Sequence, residues 1–234
     1  MKKVRLILLS ALALTAVFLC SCTDDAPQMI ESILGTDTTA VTAEESGYVK
    51  LFSSFKKCEK EYFRDTYNAA NTLIGQKYVY VVTAYNHSDE LSEIAEMFFS
   101  ADSEKNLNIY FALRGFENKE YKEEENRATY SCAKKDEKYV YSVSYDTEKQ
   151  SFEITLSVDE NVKDVLKCRL DEKSLFKLCY SGYLNRTFIS RVYEDGKSKV
   201  SWYDELITDE ADIPAEGEHG YVDFDGATLS GEIK

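Results

Sequence analysis

Apolar side chains recur at every second position through much of the chain from Leu107 on. This period predicts strands at Asn108–Arg114, Ala128–Ala133, Lys138–Tyr145, Ser151–Val158, Asp164–Leu170, Leu175–Tyr183, Thr187–Tyr193 and Lys197–Tyr203. Because strand side chains alternate, Tyr139, Tyr141, Val143 and Tyr145 share one face. So do Phe152, Ile154 and Leu156, and so do Leu166, Cys168 and Leu170. The gaps are short and polar: KKDE at 134–137, DTEK at 146–149, DEKS at 171–174 and Asp195-Gly196. Asp-Gly is a hairpin signal because both central positions of a tight turn favour positive φ. No helical stretch long enough for a crossover separates these strands, so they form an antiparallel meander.

Upstream, the period changes. Tyr48, Leu51, Phe52, Phe55, Cys58, Tyr62 and Phe63 recur at spacings of three and four, which predicts a helix over Tyr48–Ile74 stopping at Gly75. Tyr78–Tyr85 is β-branched and aromatic and reads as a strand. A second, shorter helix starts at Ser88, with Asp89 and Glu90 in its first turn and Leu91, Ile94, Ala95 and Phe98 on one face. The expected fold class is α+β: one or more N-terminal helices packed on a large antiparallel β-meander, open as a half-barrel.

The chain begins with Lys2, Lys3 and Arg5, followed by an apolar run from Leu6 to Leu19 broken only by Ser10 and Thr15. That is the length of a signal-peptide core and short for a membrane span. Leu19-Cys20-Ser21-Cys22 resembles the lipobox of bacterial lipoproteins: leucine three residues before the cysteine, small residues between. The resemblance covers the leader alone. It implies a diacylglycerol thioether on Cys22, cleavage just before it, and anchoring to the cell membrane on the extracytoplasmic side. Cys20 fits less well, because the bulky Leu19 would precede the cut. Acyl chains contribute roughly 0.8 kcal/mol per buried methylene, so two or more anchor far better than one.

The resulting organisation is a signal peptide over 1–21, a lipidated tether over 22–47, one α+β domain over 48–203 and an acidic segment over 204–234. The tether reads as linker, with Met29, Ile30, Ile33 and Leu34 able to form one helical turn. In the acidic segment, Asp223, Asp225, Gly226 and Glu232 fall at positions 3, 5, 6 and 12 of a calcium loop. Position 1 is Tyr221, which has no carboxylate, and an edge hairpin turning at Asp225-Gly226 explains the same residues.

Charge narrows the partners. The chain of 234 residues has 28 basic and 42 acidic residues, a net charge of -14. A phosphate backbone needs a basic face, so nucleic acid is excluded as an expected partner. Among the motifs that carry catalysis, G-x-S-x-G, H-E-x-x-H and the P-loop are all missing from the sequence. Cys58, Cys132, Cys168 and Cys179 form no C-x-x-C pair, and neither His87 nor His219 is tied to a cysteine by spacing. No catalytic residue, metal or cofactor is expected. Asn86-His87-Ser88 and Asn185-Arg186-Thr187 match the glycan-acceptor pattern, a coincidence in a bacterial lipoprotein.

Two further readings concern the sheet. If residues 171–174 form a hairpin tip with a symmetric register, Cys168 lies opposite Cys179, and the pair is a candidate disulfide or two small buried side chains. Eight of the 17 tyrosines lie between Ala128 and Tyr203. They express β-propensity or line a concave face for an apolar ligand. A helix followed by a long meander is similar in element order to the lipoprotein-carrier half-barrels, which shield acyl chains. The expected function is therefore a membrane-anchored, non-catalytic binding or structural lipoprotein. Its partners are the bilayer, through acylated Cys22, and an apolar ligand or an envelope protein. The alternative is a carboxylate-dependent cell-envelope hydrolase.

Replacing Cys22 with Ala abolishes incorporation of labelled palmitate and blocks processing of the leader, as read by autoradiography and gel mobility. Labelled C22A protein overturns the assignment.

Overall fold

Each strand of the sheet pairs with its neighbours in sequence, and all pairs are antiparallel. The computed structural model describes residues 47–58 and 79–233. The strands are β1 Glu117–Glu124, β2 Arg127–Lys134, β3 Glu137–Asp146, β4 Ser151–Val158, β5 Asn161–Asp171, β6 Ser174–Ser181, β7 Arg186–Tyr193, β8 Ser198–Tyr203, β9 Gly220–Phe224 and β10 Leu229–Ile233. Together they make one ten-stranded sheet in the order β1 to β10. It stays open, with β1 and β10 as its edges. The helices described are α1 Gly47–Cys58, α2 Val79–Phe98 and α3 Ser103–Leu113. All these elements belong to one compact unit, Glu45–Lys234. Among the described residues no helix is long and apolar enough to cross a membrane.

One sheet face is apolar and carries the main core. Across the strands, Val143, Ile154, Leu166, Cys179, Phe188 and Trp202 stand in one row, all buried. The helices meet this face through aromatic rings. Phe52 and Phe55 of α1 lie 5.4 and 5.1 Å from the Phe152 ring. Phe99, just past α2, lies 6.0 Å from the same ring. Phe111 of α3 is 4.9 Å from both Tyr130 and Tyr141. Aromatic side chains bury large areas and favour such tilted and edge contacts.

The structure departs from the sequence expectations at several places. The strand expected at Tyr78–Tyr85 is absent over its described part, because α2 runs unbroken from Val79. Expected cap Ser88 is a buried mid-helix residue. β-branched residues lose only a few tenths of a kcal/mol each in a helix, and burial of the Leu91, Ile94, Ala95 and Phe98 stripe outweighs that. The strand expected at Asn108–Arg114 is also helical, being the second half of α3. Its buried residues Leu107, Tyr110 and Phe111 are spaced i, i+3, i+4. Strand β1, nearly all charged, has no apolar alternation to announce it. The expected helix beyond Cys58 lies outside the described residues, as do the leader and most of the tether.

Past Tyr203 the chain does not leave the domain. Residues 204–219 form a strap across the other sheet face, where Ile207 packs with Phe176, Leu178 and Tyr203. β9 then pairs with β8 and turns through Asp225-Gly226 into β10. The expected boundary at 203 is thus internal to the sheet. At Asp195-Gly196 the turn is a three-residue loop with only glycine at positive φ, +82°.

The register expected for the cysteines is corrected. Asp171 pairs with Ser174 across a two-residue turn, so Cys168 faces Lys177 and Cys179 faces Leu166. The turn lies one residue earlier than the symmetric register requires, which leaves the two cysteines on one face but diagonal to each other. Diagonal Cβ atoms are about 7 Å apart, beyond a disulfide's reach. Neither cysteine is in a disulfide and both are buried, as is Cys132.

Trp202 is fully buried over Gly220. A Cβ on Gly220 would overlap the indole ring and approach the Glu232 carbonyl to 2.9 Å. Gly220→Ala therefore destabilises the domain by about 1–3 kcal/mol, measured by urea unfolding. An unchanged midpoint refutes this packing.

Candidate functional site

Side chains on the strap-bearing face follow from the alternation that buries their neighbours. With Leu166, Cys168 and Leu170 turned to the main core, Lys167 and Arg169 of β5 turn outward. Antiparallel pairing then sets Arg169, Phe176 and Arg191 side by side on β5, β6 and β7. The two guanidinium carbons sit 5.3 and 5.1 Å from the centre of the Phe176 ring, one on each neighbouring strand. Cation–π attraction fits that spacing.

Two carboxylates tie the arginines together. Asp171 accepts from Arg169 Nε at 2.8 Å and from Arg191 at 3.2 Å. Glu210 comes from a short 3-10 turn of the strap, Glu210–Asp212. Its Oε1 accepts from Arg191 at 2.8 Å and from Arg169 at 3.2 Å, and its Oε2 accepts from Arg169 as well. Forked guanidinium–carboxylate pairs of this kind are among the stronger polar contacts. Hydrogen bonds from Arg169 hold the Asp171 carboxyl below its ordinary range, and Asp171 and then Glu210 raise the Arg169 pKa.

Beside this cluster lies a cleft of about 360 Å3 between the strap and the open sheet. Ser144, Glu153, Lys167 and Arg169 line its floor, and Asp209 and Glu210 its strap side. Lys167 bridges the two, 3.1 Å from Glu153 and 3.5 Å from Asp209. The strap is pinned further by Thr187, whose Oγ1 donates to the Glu205 carbonyl at 2.6 Å and accepts from the Ile207 N–H at 2.9 Å. At the strap's ends, Asp204 meets Arg186 and, at 2.8 Å, His219 Nδ1. The walls thus combine charges arranged as pairs with apolar surface from side chains such as Tyr145 and Phe176. Such a cleft can recognise a polar or mixed-charge surface. It presents no thiol or hydroxyl nucleophile beside a histidine.

The residues singled out from sequence lie elsewhere. Cys22 falls outside the described residues. Cys168 and Cys179 are part of the main core, and burial pushes the Cys179 thiol up to about 12 despite nearby Lys177. Burial does the same to Cys132. Such thiols are protonated and unreactive at neutral pH. The carboxylates of the calcium-loop reading do not converge. Asp225 accepts from the Ala227 and Thr228 N–H groups and the Thr228 hydroxyl, contacts led by Thr228 that hold its pKa at about 2. Among the described residues no group of three or more His, Cys, Asp or Glu side chains is placed to hold a metal ion. The Arg169–Arg191–Glu210 cluster was missed from sequence. Outward positions of Arg169 and Arg191 were readable from the alternation, but their adjacency needed the true register. Glu210 lies 41 residues from Arg169 and carries no local signal.

Comparison with known proteins finds no matching family model, no matching curated protein and no matching solved structure.

Arg169→Ala loosens the strap. Each arginine is about one-third exposed, at 32%, so solvent screens part of the interaction and the expected loss is about 1–2 kcal/mol. Cleavage after Glu205 and Glu216 by a glutamate-specific protease accelerates accordingly. Asp171's folded-state pKa lies below its unfolded value. Its contribution is therefore complete above about pH 4 and fades as pH falls through the depressed folded value. An R169A strap as resistant as the wild type overturns this account.

Proposed function

We propose that this chain is a membrane-anchored extracytoplasmic lipoprotein that acts as a non-catalytic binding module of the cell envelope. The observation that carries the anchoring is the Leu19–Cys22 lipobox behind a basic, then apolar, leader. The binding surface we assign is the polar sheet face at the strap cleft. We read the open sheet as a half-barrel whose apolar side the helices already occupy. Phe52, Phe55, Phe98, Phe99 and Phe111 are buried there with the sheet's own aromatics. That filling favours an envelope protein or another polar partner over an apolar ligand, because a lipid needs an open apolar cavity.

The cleft supports recognition of a mixed-charge surface. Lys167 stands between Glu153 and Asp209, and Arg169 meets Glu210, which gives specificity through matched pairs. An envelope hydrolase is the second reading, since Glu153, Asp209 and Glu210 gather at one cleft. The cations that hold these carboxylates favour binding over proton transfer.

A photo-cross-linking amino acid at Ser144, on the cleft floor, traps a specific envelope partner in intact cells. The same group at Glu104, on the outer face of α3, does not. Equal trapping at both sites, or none at Ser144, rejects the cleft as the binding surface. Hydrolysis of envelope polymers by the purified chain, lost on Glu153→Gln, replaces the binding reading with the hydrolase one.

A further inference from the structure

The sheet has two edges, and they are built differently. At β1 the edge is guarded. It carries Glu117, Lys119, Glu120, Lys122, Glu123 and Glu124, and its register is broken by a bulge between Glu117 and Glu120, with Asn118 at φ 50°. Charges and bulges are how open sheets resist strand addition. The β10 edge has no bulge and far less charge. It pairs with β9 in unbroken register, it has one charge, Glu232, and it has no proline.

Hydrogen-bond phase shows which groups this edge offers. The Asp225 N–H donates to the Thr228 carbonyl across the turn, at 3.2 Å, so 225 and 228 are a bonded pair. Antiparallel alternation makes Ser230–Asp223 and Glu232–Tyr221 bonded pairs as well. The N–H and C=O groups of Leu229, Gly231 and Ile233 therefore point away from β9, and no described strand takes them.

We propose that β10 is a docking edge for a second copy of this chain, joined antiparallel about a two-fold axis at Gly231. The strand is self-complementary in that register. Gly231 meets Gly231 of the second copy, and Leu229 takes the register position opposite Ile233. Both are bonded pairs, so the outward groups of all three residues are satisfied. Ser230 falls opposite Glu232, a hydroxyl donor against a carboxylate acceptor, on the polar face. All five residues are paired. Shifting one way leaves only three residues of each strand overlapped. Shifting the other way also sets Glu232 against Glu232, a like-charge pair that disfavours it. The rest of the molecule carries net negative charge, but physiological salt screens charges beyond about 8 Å, so the charges at the seam dominate. Head-to-tail joining of β10 to β1 would build an open filament, and the bulge and charges of β1 oppose it. A seam of five residues a side is smaller than a standard stable interface, so the dimer is weak and is best trapped covalently.

The test uses the full chain expressed in cells. Ser230 and Glu232 are exposed, so an S230C/E232C double variant keeps the fold. Opposed residues of a non-bonded pair have Cβ atoms about 4.5–5.5 Å apart, within adjustment of a disulfide. Mild oxidation gives a covalent species of twice the monomer mass, several-fold above S230C, E232C and wild type. Adding Gly231→Pro removes two inter-copy donors but no β9 bond, because the Gly231 N–H points outward. It lowers the dimer yield by roughly tenfold or more, with an unchanged circular dichroism spectrum. A dimer no more abundant than in the single variants overturns the proposal. So does an adduct with a different protein, or a yield indifferent to G231P in folded protein.

Discussion

Burial of one face of a ten-stranded sheet is the constraint on which everything else in this protein depends. The strands alternate with period two, so committing Val143, Ile154, Leu166 and Cys179 to the core commits their neighbours to the other side. A slip of one residue between any two strands would expose one strand's core residues and bury charges such as Lys167 and Arg169. The helices lock that choice. Phe152 is approached by the rings of Phe52, Phe55 and Phe99, and Tyr130 and Tyr141 flank Phe111. Helix and sheet are each incomplete without the other, because each has an apolar face that only the other covers.

The opposite face is a consequence of the same alternation. It receives the other half of every strand, and from β5 to β8 it carries Lys167, Arg169, Arg191 and Lys199 around the apolar Phe176, Leu178 and Tyr203. In a chain of net charge -14 these cations attract the acidic strap, which comes down on them with Asp209 and Glu210. Apolar contact from Ile207 to the Phe176 and Leu178 patch gives the strap a fixed seat. The strap covers only part of the face. The cleft is the step where it ends and the bare sheet of β3 and β4 begins, which is why its walls mix serines, acids and bases.

Because the sheet does not close, its outer strands bear backbone groups that water or another chain must satisfy. The charged β1 and the plain β10 resolve that differently. The Asp225 carboxylate makes the last turn tight by accepting three hydrogen bonds, and β10 follows it in unbroken register with β9 at the edge of the sheet.

Most of the meander was legible in the residues themselves. β2 to β8 were placed within a few residues, because alternation of large apolar side chains over eight or so positions is hard to mistake. The turn at Asp225-Gly226 was legible too, from Asp-Gly chemistry. Local pattern failed where it was absent or shared between states. Nothing apolar marks β1, and a window starting at Asn108 hides Leu107, the residue that makes the Tyr110 and Phe111 stripe helical. Val79–Tyr85 has strand-like composition, but intrinsic β-preference is weak beside what packing contributes. What only the tertiary structure decided were pairings between distant residues. The 171–174 turn sits one residue from its expected place, which parts Cys168 from Cys179 and sets Arg169 against Phe176. Glu210 reaches that pair from across the sheet. Alternation is a property of one strand and is written in its sequence. Register and long-range salt bridges belong to pairs of segments, and their energies come from surfaces that exist only once the chain has folded.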